Sequence, residues 1–210
     1  MVVRRSNGKP PVGTHTDDRN GKVICGLCGP PRSGKDTIKK ILCRQYPNLF
    51  TPIPRWTTRP ARPEEAEHDV HSISLPEFRR LRAERRLLAV TMTNRVYYGI
   101  HIDDLTGALD LATPHIIVTG TTTSFALEDQ VDDPPVRLFY LDVPEDELRK
   151  RLAHGGFSGL DYELRLHQAF DPWKELLREE NIVRNSGRHP EETARDIFQR
   201  LMTAMPSVPS

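Results

Sequence analysis

Residues 22–42 read KVICGLCGPPRSGKDTIKKIL, and this stretch limits the possible folds more sharply than any other. The run KVICGLC is short, apolar and β-branched, the pattern of a strand buried on both faces. A loop rich in glycine and proline follows, and residues 34–45 then carry Ile38, Ile41 and Leu42 on one face of an expected helix. A strand that enters a glycine loop and leaves as a helix turns backbone N–H groups toward an anion, and the helix N-terminus adds partial positive charge. The spacing is G-x-x-x-x-G-K through Gly29, Gly34 and Lys35. Where a hydroxyl usually follows the lysine there is Asp36, with Thr37 one residue late. Gly29, Pro30, Pro31, Arg32, Ser33, Gly34, Lys35, Asp36 and Thr37 are therefore the expected phosphate cradle. Lys35 is expected to reach the terminal phosphates. Asp36, directly or through a water, and Thr37 are the expected Mg2+ ligands.

The rest of the chain repeats the strand and helix rhythm. HIIVTG (115–120), VRLFYLDV (136–143) and NIVRN (181–185) read as strands. Residues 144–154, with Pro144 near the first turn, and 190–205 read as helices. Short apolar strands separated by helices predict a parallel α/β sheet covered on both faces. Residues 51–101 break the rhythm with proline-rich turns, short β-like pieces and an arginine-rich helix over 76–86, and read as an insertion with its own small sheet. The polar residues 1–20 read as a disordered arm, 21–206 as one domain, and 207–210 as a tail.

Composition removes several function classes. Lys and Arg number 30 against 29 Asp and Glu, a net charge of +1 that gives no global pull toward nucleic acid. The sequence has no run near the roughly 18 apolar residues of a membrane helix. A cytoplasmic protein without a membrane or nucleic-acid partner is expected. Cys25 and Cys28 form a C-x-x-C with no second pair, and read as small hydrophobes of a buried strand. His68 and His71 lack a third ligand in register, and the basic helix EFRRLRAERR reads as a solvated face packed through Phe78, Leu81 and Leu87.

Four motifs in order, GPPRSGKDT, TTRPARPEE, SLPEF and YYG, resemble the guanylate kinase family of nucleotide kinases over about residues 22–204. The resemblance implies a P-loop kinase core with a parallel sheet flanked by helices, a small mixed acceptor-binding insertion at 51–101, and a lid at 151–165. It implies that Arg59, Arg62 and Tyr98 hold the phosphate of an acceptor monophosphate, and that Glu65 orders the loop. Forked, permanently charged arginines suit a phosphate dianion. It places Arg151 and Arg165 among the lid arginines on the transferring phosphates, with Gly155 where a middle arginine is expected. Asn185, with Arg188 nearby, falls at the adenine end.

The positions that read guanine depart from the family. Arg55 stands where a serine is expected, Ala89 replaces one carboxylate, and Thr119, Gly120 and Thr121 occupy the region of the other; Val70 replaces a further phosphate-binding tyrosine. Guanine donors left unpaired would cost about 1–3 kcal/mol each. GKDT, LLAVTMTNRVYYGI and IIVTGTTTSF are similar to segments of the ribose 1,5-bisphosphate phosphokinases, which also lack the base readers. Arg55 is read as a cation for a second acceptor phosphate. The expected activity is thus an ATP- and Mg2+-dependent phosphotransferase that extends an existing phosphomonoester, with Lys35, Arg151 and Arg165 catalytic. Ribose 1,5-bisphosphate is the favoured acceptor, ahead of GMP, dGMP or another nucleoside monophosphate. The rival class is a non-catalytic guanylate kinase-like protein-binding module, against which Lys35 counts. Expected partners are ATP and a small phosphorylated acceptor, in a monomer or homodimer.

Overall fold

Strand β1 (Val23–Cys28) is buried along its whole length, and its alternate side chains feed two different cores. In the computed structural model, which describes residues 22–62, 69–169 and 172–203, β1 is the middle of five parallel strands. The order is β2 (Phe50–Pro52), β7 (His115–Thr119), β1, β8 (Val136–Asp142), β9 (Ile182–Arg184). Val23, Cys25 and Leu27 pack with Ile38, Ile41 and Leu42 of α1 (Lys35–Gln45) and Ala194, Ile197 and Leu201 of α7 (Pro190–Thr203). Ile24 packs on the opposite face with Leu105, Leu109 and Leu127, from α3 (Ile102–Asp110) and α4 (Thr121–Gln130). Gly26 shares that face, where a Cβ would come within 2.7 Å of Leu138 and 2.9 Å of Ser124, so glycine lets α4 lie close to the strand. Burial pushes the Cys28 thiol up to about 12 and raises that of Cys25 too, so both stay protonated hydrophobes, as the run KVICGLC predicts.

A second sheet stands on the first. Its order is β4 (Val70–Ser72), β3 (Arg55–Thr57), β6 (Val96–His101), β5 (Leu87–Thr93), with β3 parallel to β4 and antiparallel to β6. The expected small sheet of the insertion is this one, but its expected start at residue 51 falls inside β2, which pairs with β7 in the core. Helix α2 (Leu75–Ala83) begins at Ser74, whose hydroxyl accepts from the Glu77 N–H at 3.3 Å, and lays Phe78 and Leu81 on Leu87. The expected helix 76–86 ends sooner because Arg85 turns left-handed at φ 57. Helix α5 (Glu145–His154) and α6 (Gly159–Ala169) pair through Leu148, Leu152 and Leu166, with Phe157 between them. Residues 1–20 and 207–210, His68 and Glu65, for which the sequence raised expectations, lie outside the described residues. No helix among the described residues is long and apolar enough to cross a membrane.

His115 opens β7 with its ring fully buried against Phe50, 5.1 Å between ring centroids. Neither ring nitrogen has a hydrogen-bond partner among the described residues, and burial holds its pKa below the ordinary imidazole value. The unfolded chain takes up this proton below about pH 6.5 while the folded chain resists it. Stability should therefore be intact above that pH and fall as pH drops below it. In denaturant titrations between pH 5 and 8, His115→Leu should flatten this part of the slope; an unchanged slope would refute the assignment.

Candidate active site

The loop after β1 is clamped from three sides. From below, the Asn185 side chain donates to the Ser33 carbonyl at 2.6 Å, and its own oxygen accepts from Thr193 at 2.7 Å. From α4, the Thr121 hydroxyl accepts from the Gly29 N–H and donates to the Gly29 carbonyl, both at 2.9 Å. From α5, Arg151 donates to the Asn185 carbonyl at 2.8 Å and reaches the Arg32 and Ser33 carbonyls at 3.4 Å, while Glu147 holds its other edge. The two motif glycines are required by this packing. Gly29 has φ 133, and a Cβ there would come 2.9 Å from the Leu141 carbonyl; Gly34 has φ 98, and a Cβ would sit 2.7 Å from the Asn185 amide nitrogen.

Lys35 folds back into its own loop, with Nζ 2.8 Å from the Gly29 carbonyl and 2.7 Å from that of Pro30. Burial lowers its pKa to about 8; Asp36 pulls it up and Arg55 pushes it further down. These are the carbonyls a phosphate would displace it from. Asp36 and Thr37 are exposed on the first turn of α1, and Asp36 faces Arg55 of β3 at 3.9 Å.

A cavity of about 890 Å3 joins this loop to the second sheet. Pro31, Arg32, Gly34, Lys35, Asp36 and Thr37 line it, whereas Gly29, Pro30 and Ser33 are buried behind the loop. Arg55, Arg59, Arg62 and Tyr98 line its other end, and Arg151 and Arg165 enter from α5 and α6. The structure brings these expected residues together around one cavity, while Glu65 lies outside the described residues. Lysines and arginines dominate the lining against two carboxylates, Asp36 and Asp69. A chain of near-neutral net charge has concentrated its cations in one concave surface, as a site for polyanions requires.

Further side chains join the site. Lys39, one turn beyond Lys35, forms a buried ion pair with Asp69 beside β4. The Arg32 side chain crosses to the lid, donating to the Gly155 carbonyl at 3.4 Å. Phe157 lies under both Arg32 and Arg165, at 5.1 and 4.0 Å from guanidinium carbon to ring centroid. Asn185, expected beside adenine, lines the cavity but commits both ends of its amide to Ser33 and Thr193, so it is a strut beneath the loop. Arg188 is held by Thr193 at 3.0 Å and Asp196 at 3.2 Å. At the expected base-reading positions, Ala89 is buried and its N–H donates to Gln130 at 2.9 Å, and Thr121 is occupied by Gly29.

Known proteins resemble this chain in sequence and in fold. A guanylate kinase of Hyphomonas neptunium is 26% identical over 166 residues, covering 78% of this chain and 75% of that one. A guanylate kinase of Chlamydia abortus is 31% identical over 134 residues, 62% of this chain and 63% of its own length. The crystal structure of guanylate kinase from Anaplasma phagocytophilum superposes with a TM-score of 0.66 at 18% identity, covering 89% and 87% of the two chains. No protein-family model matches the chain. Sequence and fold together support a guanylate kinase-like P-loop kinase, an ATP-dependent enzyme. Enzymes of this kind use ATP with Mg2+, and Asp36 and Thr37 at the head of α1 are exposed oxygen donors that fit a hard cation.

Asn185→Ala should remove the strut and leave the Ser33 carbonyl buried without it. Stability is expected to fall by about 1–3 kcal/mol, read as a lower Tm, and Mg-ATP affinity is expected to weaken in calorimetry. Wild-type values in both measurements would remove Asn185 from the loop's support.

Proposed function

We propose that the chain is a nucleoside monophosphate kinase that transfers the γ-phosphoryl group of ATP to a monophosphate, with GMP the first candidate. One observation carries this reading: the cavity runs unbroken from the Lys35 loop to the arginines of the second sheet. Donor and acceptor phosphates can therefore meet inside it. The relatives named guanylate kinase support GMP and reverse the order expected from the base-reading positions, where the sugar bisphosphate came first.

An acceptor phosphate oxygen attacks the γ-phosphorus, the bond from that phosphorus to the β,γ-bridging oxygen breaks, and the electron pair leaves on the β-phosphate of ADP. The acceptor dianion needs no base, so the chain's task is positioning and charge neutralisation. Arg59, Arg62 and Tyr98 would hold the acceptor phosphate. Lys35, Arg151 and Arg165 would face the moving group, and Asp36 with Thr37 would hold a Mg2+, which would supply further charge neutralisation.

A second acceptor is favoured by one observation. Arg55 lies in the cavity beside Asp36 and Lys35, a cation at the position where guanine recognition would use a serine. A ribose 1,5-bisphosphate would give it a phosphate. A panel of GMP, dGMP, AMP, UMP and ribose 1,5-bisphosphate with labelled ATP separates the two. Turnover of GMP at least tenfold above the sugar is expected, and the opposite ranking would sink the nucleotide reading.

Lys35→Ala should cost about 100- to 1,000-fold in kcat, and wild-type turnover would remove it from catalysis. Lys35 also predicts a pH dependence. Its ammonium is present below about pH 8 and is lost as pH rises through that value. The Kd for Mg-ATP should accordingly rise above pH 8, by up to about tenfold per unit, and Lys35→Ala should abolish the rise.

A further inference from the structure

Gly155 has φ −76 and ψ 4, a conformation any residue can adopt, so the backbone does not demand glycine there. What occupies the space beside it comes from the phosphate loop. A Cβ on residue 155 would stand 2.5 Å from Nη2, 2.7 Å from Nε and 2.8 Å from Cζ of Arg32. The Arg32 guanidinium fills the space where any larger side chain at 155 would begin. Family resemblance implies an arginine at that lid position; here a guanidinium reaches the same place from the phosphate loop.

Arg32 is placed there under strain. Its φ is 63, left-handed for a residue with a Cβ, which costs on the order of 1–3 kcal/mol and persists where the surroundings hold it. Its contacts among the described residues are neutral: the Gly155 carbonyl and the Phe157 ring. Arg151 and Arg188, by contrast, are already paired with Glu147 and Asp196. Arg32 thus brings to the cavity a charge that no described carboxylate balances, on the loop that wraps the ATP phosphates.

We propose that Arg32 is a catalytic residue: it contacts the γ-phosphoryl group of ATP in place of a lid arginine, and Gly155 keeps the room it needs. This rests on the kinase reading above. As the acceptor oxygen bonds to the γ-phosphorus and the β,γ-bridging oxygen departs with its electron pair to ADP, charge spreads over the equatorial oxygens of the transferring group. A guanidinium aimed there stabilises the transition state more than the bound substrates.

The test is a set of variants of the full chain. Arg32→Ala should lower kcat about 100-fold with acceptor KM within threefold and Tm unchanged. Gly155→Ala, which pushes the guanidinium aside, should lower kcat about tenfold. The double variant Arg32→Gly with Gly155→Arg returns the cation from the lid and should recover at least tenfold over Arg32→Gly alone. An Arg32→Ala kcat within threefold of wild type, or no recovery in the double variant, overturns the proposal. A second measurement does not depend on the acceptor: the ratio of Mg-ADP to Mg-ATP Kd by calorimetry. Arg32→Ala should reduce the preference for ATP about tenfold, and an unchanged ratio counts against Arg32. If the wild type phosphorylates no monophosphate, the acceptor reading fails, while this ratio still decides Arg32.

Discussion

The hydrogen bond from Asn185 to the Ser33 carbonyl is the constraint on which the site depends. A phosphate loop is useful only if its N–H groups already converge before the anion arrives, since ordering each loop residue on binding would cost roughly 1–2 kcal/mol. Asn185 fixes the loop from underneath, and Thr193 in α7 fixes Asn185 in turn. Thr121 and Arg151 hold the flanks from two other helices. The loop therefore inherits its rigidity from the sheet and from α4, α5 and α7 together, and the fold is the scaffold that makes a flexible sequence stiff.

Rigidity alone would leave a dense group of cations repelling one another. Part of that repulsion is absorbed by carboxylates: Glu147 grips Arg151 and Asp196 grips Arg188 from outside the cavity, and Asp69 neutralises Lys39 within its lining. Lys35 shows what remains, since burial and the neighbouring Arg55 both lower its pKa. Binding a polyphosphate would relieve this, restoring the lysine's proton affinity and shielding the arginines. Substrate binding and charge relief are the same event here, which suits a site meant to be empty only briefly.

The loop, four of the five core strands and the separate second sheet were legible because their signals are local: an apolar run, two glycines at fixed spacing, and a break in the rhythm of elements. Arg59, Arg62 and Tyr98 were placed by motif. Helices α3 and α4 were not foreseen, because IDDLTGALD is short and TTTSFALEDQ opens on three threonines, poor helix formers that tertiary contacts override. Long-range partners were invisible for a different reason. Nothing in the spelling of Gly155 says that Arg32 needs its space, and nothing near Asn185 says that its amide is committed to Ser33. The strand cysteines were read correctly because burial alone explains them.

The pair Lys39 and Asp69 carries one more meaning. Lys35 and Lys39 sit one turn apart on α1, about 6 Å along the axis; the first belongs to the phosphate loop and the second is bonded to the second sheet. One helix is thereby a ruler between the loop end and the second-sheet end of the cavity, with a graduation of about 1.5 Å per residue. An inserted or deleted residue in that turn would change the gauge by an amount comparable to a bond length, and set the loop and the second sheet that much out of step.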